Sequence, residues 1–230
     1  MARCLGVDGC RGGWAVVTAE QGRLVQAEIA ASLAAIETAG VDRIWIDMPI
    51  GMPSARQFPR EADAGARRLL GPRRASIFSA PCREVLEAAD YETASAEHRR
   101  LTGKGISKQT WNLVPKIREL AAWHPDVPVY EAHPELVAAG LGGEPMKANK
   151  KTEAGQAERI ELLKGSDFGP EQLKAWKQEF GGRAAADDWI DAALLAVAAS
   201  DPALERRTVP EQPQQNDAGE DMAIHYSIRG

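Results

Sequence analysis

Three strand-like runs, residues 4–8, 14–19 and 24–29, fall within the first thirty positions, and only glycine-containing turns separate them. Links this short join antiparallel neighbours, because a parallel crossover needs a dozen residues or more. The chain is therefore committed to an antiparallel meander from the outset, with Gln21-Gly22 as the tight turn between the second and third runs. A short alanine-rich helix is predicted over 32–39. It leads to Arg43-Ile44-Trp45-Ile46-Asp47, a β-branched run that reads as a buried strand after a crossover. Helices dominate from Glu61 onward. Residues 127–131 are the one later run resembling an interior strand, with Pro128 at its start.

Further helices are predicted over 134–139, 152–163, 170–180 and 184–199. In the last of these, Ile190, Ala193, Leu194 and Val197 form one apolar stripe, and Asp187, Asp188 and Asp191 lie on a wetter edge beside it. The segment 208–221, rich in Pro, Gln, Asp and Glu, reads as a surface loop, and 222–228 as an edge strand. No internal repeat or clear boundary divides the chain. The expectation is one α/β domain over 1–230 with a helical, basic insertion around 54–122.

The acids stand at informative places. Asp8 ends the first strand, Asp47 the fourth and Glu131 the fifth, each interrupting an apolar run. A carboxylate in a buried strand is disfavoured unless it is paired, hydrogen-bonded or bound to a cation. If the first and fourth strands are parallel neighbours, Asp8 and Asp47 stand about 5 Å apart at the sheet's carboxyl edge, where open α/β sheets place their sites. Asp188 and Asp191, three apart on a helix, share a face and reach the same place. Clustered carboxylates without paired Cys or His imply Mg²⁺ or Mn²⁺ rather than zinc. Two such ions over carboxylates serve in-line attack of water on a phosphodiester.

Charge and cysteine content narrow the class. The net charge is −5, which argues against general coating of nucleic acid. Yet residues 51–118 carry 13 Lys and Arg against 7 Asp and Glu, whereas the rest carries 15 against 26. A basic middle between acidic ends suits carboxylates holding a cation while basic loops hold a phosphate chain, and uneven salt pairing on helix surfaces explains it equally well. Cys4, Cys10 and Cys82 form no CxxC pair, which excludes a zinc ribbon and a disulfide framework. The longest apolar run, 192–199, is far below the ~20 residues of a membrane span. Without a signal core, the expectation is a cytoplasmic protein with no membrane partner.

Read together, Gly6-Val-Asp-Gly-Cys-Arg-Gly-Gly-Trp14, Ile46-Asp-Met-Pro-Ile-Gly-Met-Pro53, Gly105-Ile-Ser-Lys-Gln-Thr-Trp-Asn112, Glu131-Ala-His-Pro-Glu135, Lys150-Lys151 and Asp187-Asp-Trp-Ile-Asp-Ala192 resemble a known family. It is domain of unknown function 429, described as predicted nucleases with a ribonuclease-H-like fold. The resemblance implies a central mixed sheet, three antiparallel strands followed by two parallel ones, flanked by helices. It also implies catalytic and metal-binding roles for Asp8, Asp47, Glu131, and Asp188 or Asp191.

Outside the acids, Gln109 and Asn112 are amides on one side of a helix, able to bond a base or phosphate or simply to pack; Pro115 kinks that helix or begins another. Lys150 and Lys151 are candidate phosphate contacts or a solvated loop. Arg67, Arg68, Arg73 and Arg74 around Gly71-Pro72 make a basic turn that suits a substrate strand. His133 alternates with Glu131 and is expected on the same face. Gly9, Gly12 and Gly13 read chiefly as turn residues.

The expected activity is a metal-dependent phosphodiesterase acting on DNA or RNA, with structured forms among the substrates. The oligomeric state, a dimer included, is left open. The competing classes are ATP-dependent phosphotransfer of the actin or sugar-kinase type, and a non-catalytic nucleic-acid-binding protein.

Overall fold

The computed structural model describes residues 2–230. Its chain divides into two compact units, one of residues 1–48, 123–207 and 225–230, the other of residues 49–122 and 208–224.

The first unit is built on a five-stranded sheet. Strands β1 (Arg3–Cys10), β2 (Gly13–Glu20) and β3 (Arg23–Ala30) form the meander, β4 (Arg43–Ile46) and β5 (Val129–Glu131) complete it, and the order is β3-β2-β1-β4-β5. The pairs β1·β2 and β2·β3 are antiparallel, and β1·β4 and β4·β5 parallel. Gln21 and Gly22 both have positive φ, 50° and 78°, the geometry of a two-residue hairpin that matches strand twist. Gly13 is required at the preceding turn: at φ 121° an added Cβ would lie 2.3 Å from the carbonyl oxygen of Ala30. The predicted 32–39 helix is only a 3-10 turn over Leu33–Ala35.

Helix α7 (Ala186–Ser200, numbered after six helices given below) covers one face of this sheet and is buried continuously from Trp189 to Ser200. Register explains the fit. Cys4, Gly6 and Asp8 point to the same face, and their neighbours follow one another down the helix. The Cys4 thiol donates to the Ala199 carbonyl at 3.4 Å, and a Cβ on Gly6 would lie 2.0 Å from the Ala192 oxygen and 2.4 Å from the Ala196 nitrogen. Two strand residues advance about 6.6 Å and four helical residues about 6 Å, so strand and helix stay in step. The missing side chain at Gly6 and the alanines of α7 allow this close approach. Trp45, Ala15 and Val17 pack into the same core.

The other helices of this unit are α4 (Pro134–Gly142), α5 (Glu153–Leu162) and α6 (Pro170–Phe180). The second unit contains α1 (Glu61–Leu70), α2 (Tyr91–Thr102) and α3 (Lys108–Ala121). Helix α3 runs through Pro115 without ending, and Ser107 caps its start by accepting from the Thr110 amide at 3.0 Å. In this unit the Arg60 guanidinium and the Asp63 carboxylate, each 1% exposed, pair at 2.6 Å.

The expected surface loop at 208–221 is mostly strand. β6 (Leu204–Gln215) and β7 (Asp221–Arg229) form a two-stranded sheet. Pro210 and Pro213 lie within β6, which a two-stranded sheet tolerates because every strand has an open edge. The turn is closed by Asn216, whose side-chain oxygen accepts from the Ala218 and Glu220 amides. No helix among the described residues is long and apolar enough to cross a membrane.

Candidate functional site

Asp8 is the third step of the Cys4, Gly6, Asp8 series, and continuing down α7 by the same spacing reaches Asp191 and Asp188. Asp47 joins them from β4. Its amide donates to the Val7 carbonyl at 2.9 Å, which carries the parallel ladder one residue beyond the strand and brings Asp47 level with Asp8 on the same face. Three separate parts of the chain thus deliver carboxylates to one edge of the first unit.

The carboxylates strain against each other. Burial, then repulsion from Asp47 and Asp191, holds Asp8 well above the usual carboxylate range. Burial pushes Asp47 up to about 6, with Lys150 opposing and Glu135 adding. Asp191, 1% exposed, is likewise raised to about 6 by burial, with Lys150 opposing and Asp47 adding. One cation answers all three. The Lys150 ammonium donates to Asp191 Oδ2 and feels Asp8 and Asp47 as well. Burial works against that ammonium, but the three acids together raise its pKa above the ordinary lysine value. Asp191 Oδ1 is buried and has no hydrogen-bond partner.

The backbone that presents Lys150 is clamped to α5. Glu158 accepts from the Lys147 and Ala148 amides at 2.8 and 3.0 Å, Arg159 donates to the Ala148 carbonyl at 3.3 Å, and Thr152 donates to the Asn149 carbonyl at 2.8 Å. The fit at Asn149 is close enough that a Cβ on Gly155 would lie 1.9 Å from its oxygen. Arg159 in turn pairs with Glu135 of α4 at 2.5 Å, both side chains nearly fully buried. Glu158 and Arg159 carry no signal in the sequence, and Glu135 stands there only as the last residue of the Glu131–Glu135 motif. The available signal was Pro134-Glu135, a proline and an acid at a helix start; nothing marked Arg159 as its partner 24 residues on.

The structure redistributes the expected residues. Asp8, Asp47 and Asp191 come together. Asp191 is buried rather than on a wetter edge, because α7 is enclosed on all sides along that stretch. Asp188 lies beside them, but its Oδ2 accepts from the Ala185 amide at 2.7 Å and caps α7. Glu131 does not join: it pairs with Ile46, one residue before Asp47, so its buried side chain faces the opposite side of the sheet. Lys150 is at the acids rather than in a solvated loop, while Lys151 is exposed. His133 is half-buried as the residue before α4.

Gln109, Asn112, Arg67 and Arg74 belong to the second unit. The first two are exposed on α3 and Arg74 is exposed, whereas Arg67 is used locally, donating to the Ile77 carbonyl at 2.9 Å and to the Ser79 hydroxyl at 2.9 Å.

Among the described residues, no three His, Cys, Asp or Glu side chains form a ready metal cage; the acids are arranged around the lysine ammonium. Their chemistry still fits a hard divalent cation. The donors are oxygen only, they repel one another, and Asp191 Oδ1 is a buried lone-pair donor with nothing bound to it. Residues 6–215 match a family described as protein of unknown function (DUF429). No curated protein and no solved structure matches the chain.

Proposed function

We propose that this chain, which belongs to the DUF429 family, is a metal-dependent phosphodiesterase of ribonuclease-H-like fold that cleaves DNA or RNA at the Asp8, Asp47 and Asp191 cluster. The observation that carries the reading is the excess of negative charge: three converging carboxylates share one ammonium, and one buried carboxylate oxygen has no partner. An acid kept for folding has its own partner; these compete for one. The sheet order, with one acid inside β1, one directly after the adjacent parallel strand β4 and a third on the helix packed against β1, supports the ribonuclease-H-like assignment.

Asp8, Asp47 and Asp191 are the residues that would hold Mg²⁺ or Mn²⁺. When bound, such an ion supplies activation of water and neutralisation of the charge that builds on the phosphodiester. Asp188 keeps the first turn of α7 in place and so fixes the height of Asp191. Lys150, 32% exposed at its side chain, holds its ammonium at the acids, where it would meet a phosphate oxygen as a point charge. The excess of basic residues over 51–118 supports a polyanionic substrate.

The test is Mn²⁺-dependent cleavage of single-stranded, duplex, hybrid and branched substrates by wild type and Asp8→Asn. The wild type should cleave at least one, and Asp8→Asn should lose more than about 100-fold, since even residues that only support metal ligands cost 10–100-fold. Its melting temperature without metal should hold or rise, because the change removes repulsion. A variant that melts far lower, or wild-type protein indifferent to Mn²⁺ on all four substrates, defeats the proposal.

A further inference from the structure

Of the five acids the sequence offered for a two-ion site, two are committed elsewhere. Asp188 holds the Ala185 amide at the start of α7, and Glu131 faces the other side of the sheet. A third, Asp191, has one of its two oxygens bonded to Lys150. What remains is Asp8, Asp47 and Asp191 Oδ1, with an ammonium already on the other oxygen of that third carboxylate.

Lys150 is placed as firmly as a ligand. The main chain before it is fixed by Glu158 and Arg159, the carbonyl of Asn149 by Thr152, and Asn149's side-chain oxygen accepts from the Lys151 amide at 3.0 Å. Arg159 is itself anchored on Glu135. A lysine on a loose loop would be displaced by any ion that approached; this one is held from both sides.

We infer that the site takes one divalent cation, not two, and that Lys150 is the permanent second positive charge, standing where another ion would otherwise sit. The inference rests on the proposed hydrolase reading and deepens it. Once ionised, as ligands of a cation must be, three carboxylates and one ammonium leave a charge of −2, which a single divalent ion cancels. The Lys150 ammonium then faces the negative charge of a bound phosphodiester without a second ion having to be recruited.

The experiment is Mn²⁺ titration of the full chain by calorimetry and electron paramagnetic resonance, on wild type, Lys150→Met and Lys150→Arg. Wild type should bind one Mn²⁺ per chain with an isolated six-line spectrum, and Lys150→Arg should do the same. Lys150→Met frees Asp191 Oδ2 and removes a competing cation. It should bind its first Mn²⁺ about tenfold more tightly or better, the scale on which supporting residues change metal affinity, and admit a second ion at high manganese, seen as a spin-coupled spectrum. Two coupled ions in wild type overturn this inference and leave the hydrolase reading intact. Lys150→Met with wild-type affinity and one ion overturns it too. Absence of Mn²⁺ binding in all three proteins overturns both.

Discussion

Arg60 and Asp63 in the second unit, and the acid cluster in the first, are both buried charges, and they are completed in opposite ways. Asp63 Oδ1 accepts from Arg60 Nη2 at 2.6 Å and from Nε at 3.2 Å, its Oδ2 accepts from the Ala80 amide at 3.0 Å, and Arg60 Nη1 donates to the Ile50 carbonyl at 2.9 Å. One acid has one guanidinium, and both carboxylate oxygens are used. At the cluster, three acids divide one ammonium and an oxygen of Asp191 is left over. The first arrangement stabilises the fold around it. The second opposes the fold, and such opposition persists where the charge serves binding or chemistry.

The contrast breaks if removing a charge has the same sign of effect in both places. Arg60→Met strands a buried carboxylate and should cost about 3–5 kcal/mol in denaturant unfolding; a loss below 1 kcal/mol would mean the pair is no sturdier than a surface one. Spacing sharpens the contrast next. Gly6→Ala pushes α7 from β1 and should cost about 1–3 kcal/mol by overpacking, and because Asp191 rides on the same helix it should also weaken Mn²⁺ binding, which an equally destabilising change in the second unit should not do.

Acidity gives an effect no larger than that of spacing. Asp47 and Asp191 titrate near 6 in the folded chain, above the unfolded carboxylate value, so the folded state binds protons that the unfolded state has released. Without metal, their contribution to stability therefore falls as pH rises from about 4 to about 6. Asp47→Asn should remove about 2 kcal/mol of that fall between pH 4 and 7, the part of its rise to about 6 that lies above pH 4, measured by urea unfolding at both pH values. An unchanged slope would assign the pH dependence to other groups.

Much of this was legible in the residues. The meander was readable because Gly13 and Gln21-Gly22 leave no room for a crossover, and Asp8 and Asp47 stood out as acids ending apolar strands. Glu131 carried the same signature and misled, because period-two alternation turns a one-residue difference in register into the opposite face, and register between β4 and β5 is set by tertiary pairing. Asp191 reads as a wetter-edge residue because an amphipathic pattern presumes an open side, which α7 lacks there. β6 was hidden by its prolines and glutamines, poor strand formers that a two-stranded ribbon accepts. The partnership of Glu135 with Arg159, and through it the seating of Lys150, has no local pattern at all.

The step-for-step match of β1 with α7 also governs the order in which the chain can mature. A ribosome releases β1 to β4 in one short stretch, and those strands can pair at once. Their apolar face, with Cys4, Val17 and Trp45, has no helix to cover it until residues 186–200 emerge, some 140 residues after β4. At the common pace of about 5–20 residues per second that is a wait of about 7–30 seconds. Asp8 and Asp47 wait with it, so the acidic edge is finished only by contacts of high sequence separation, the slowest kind to form.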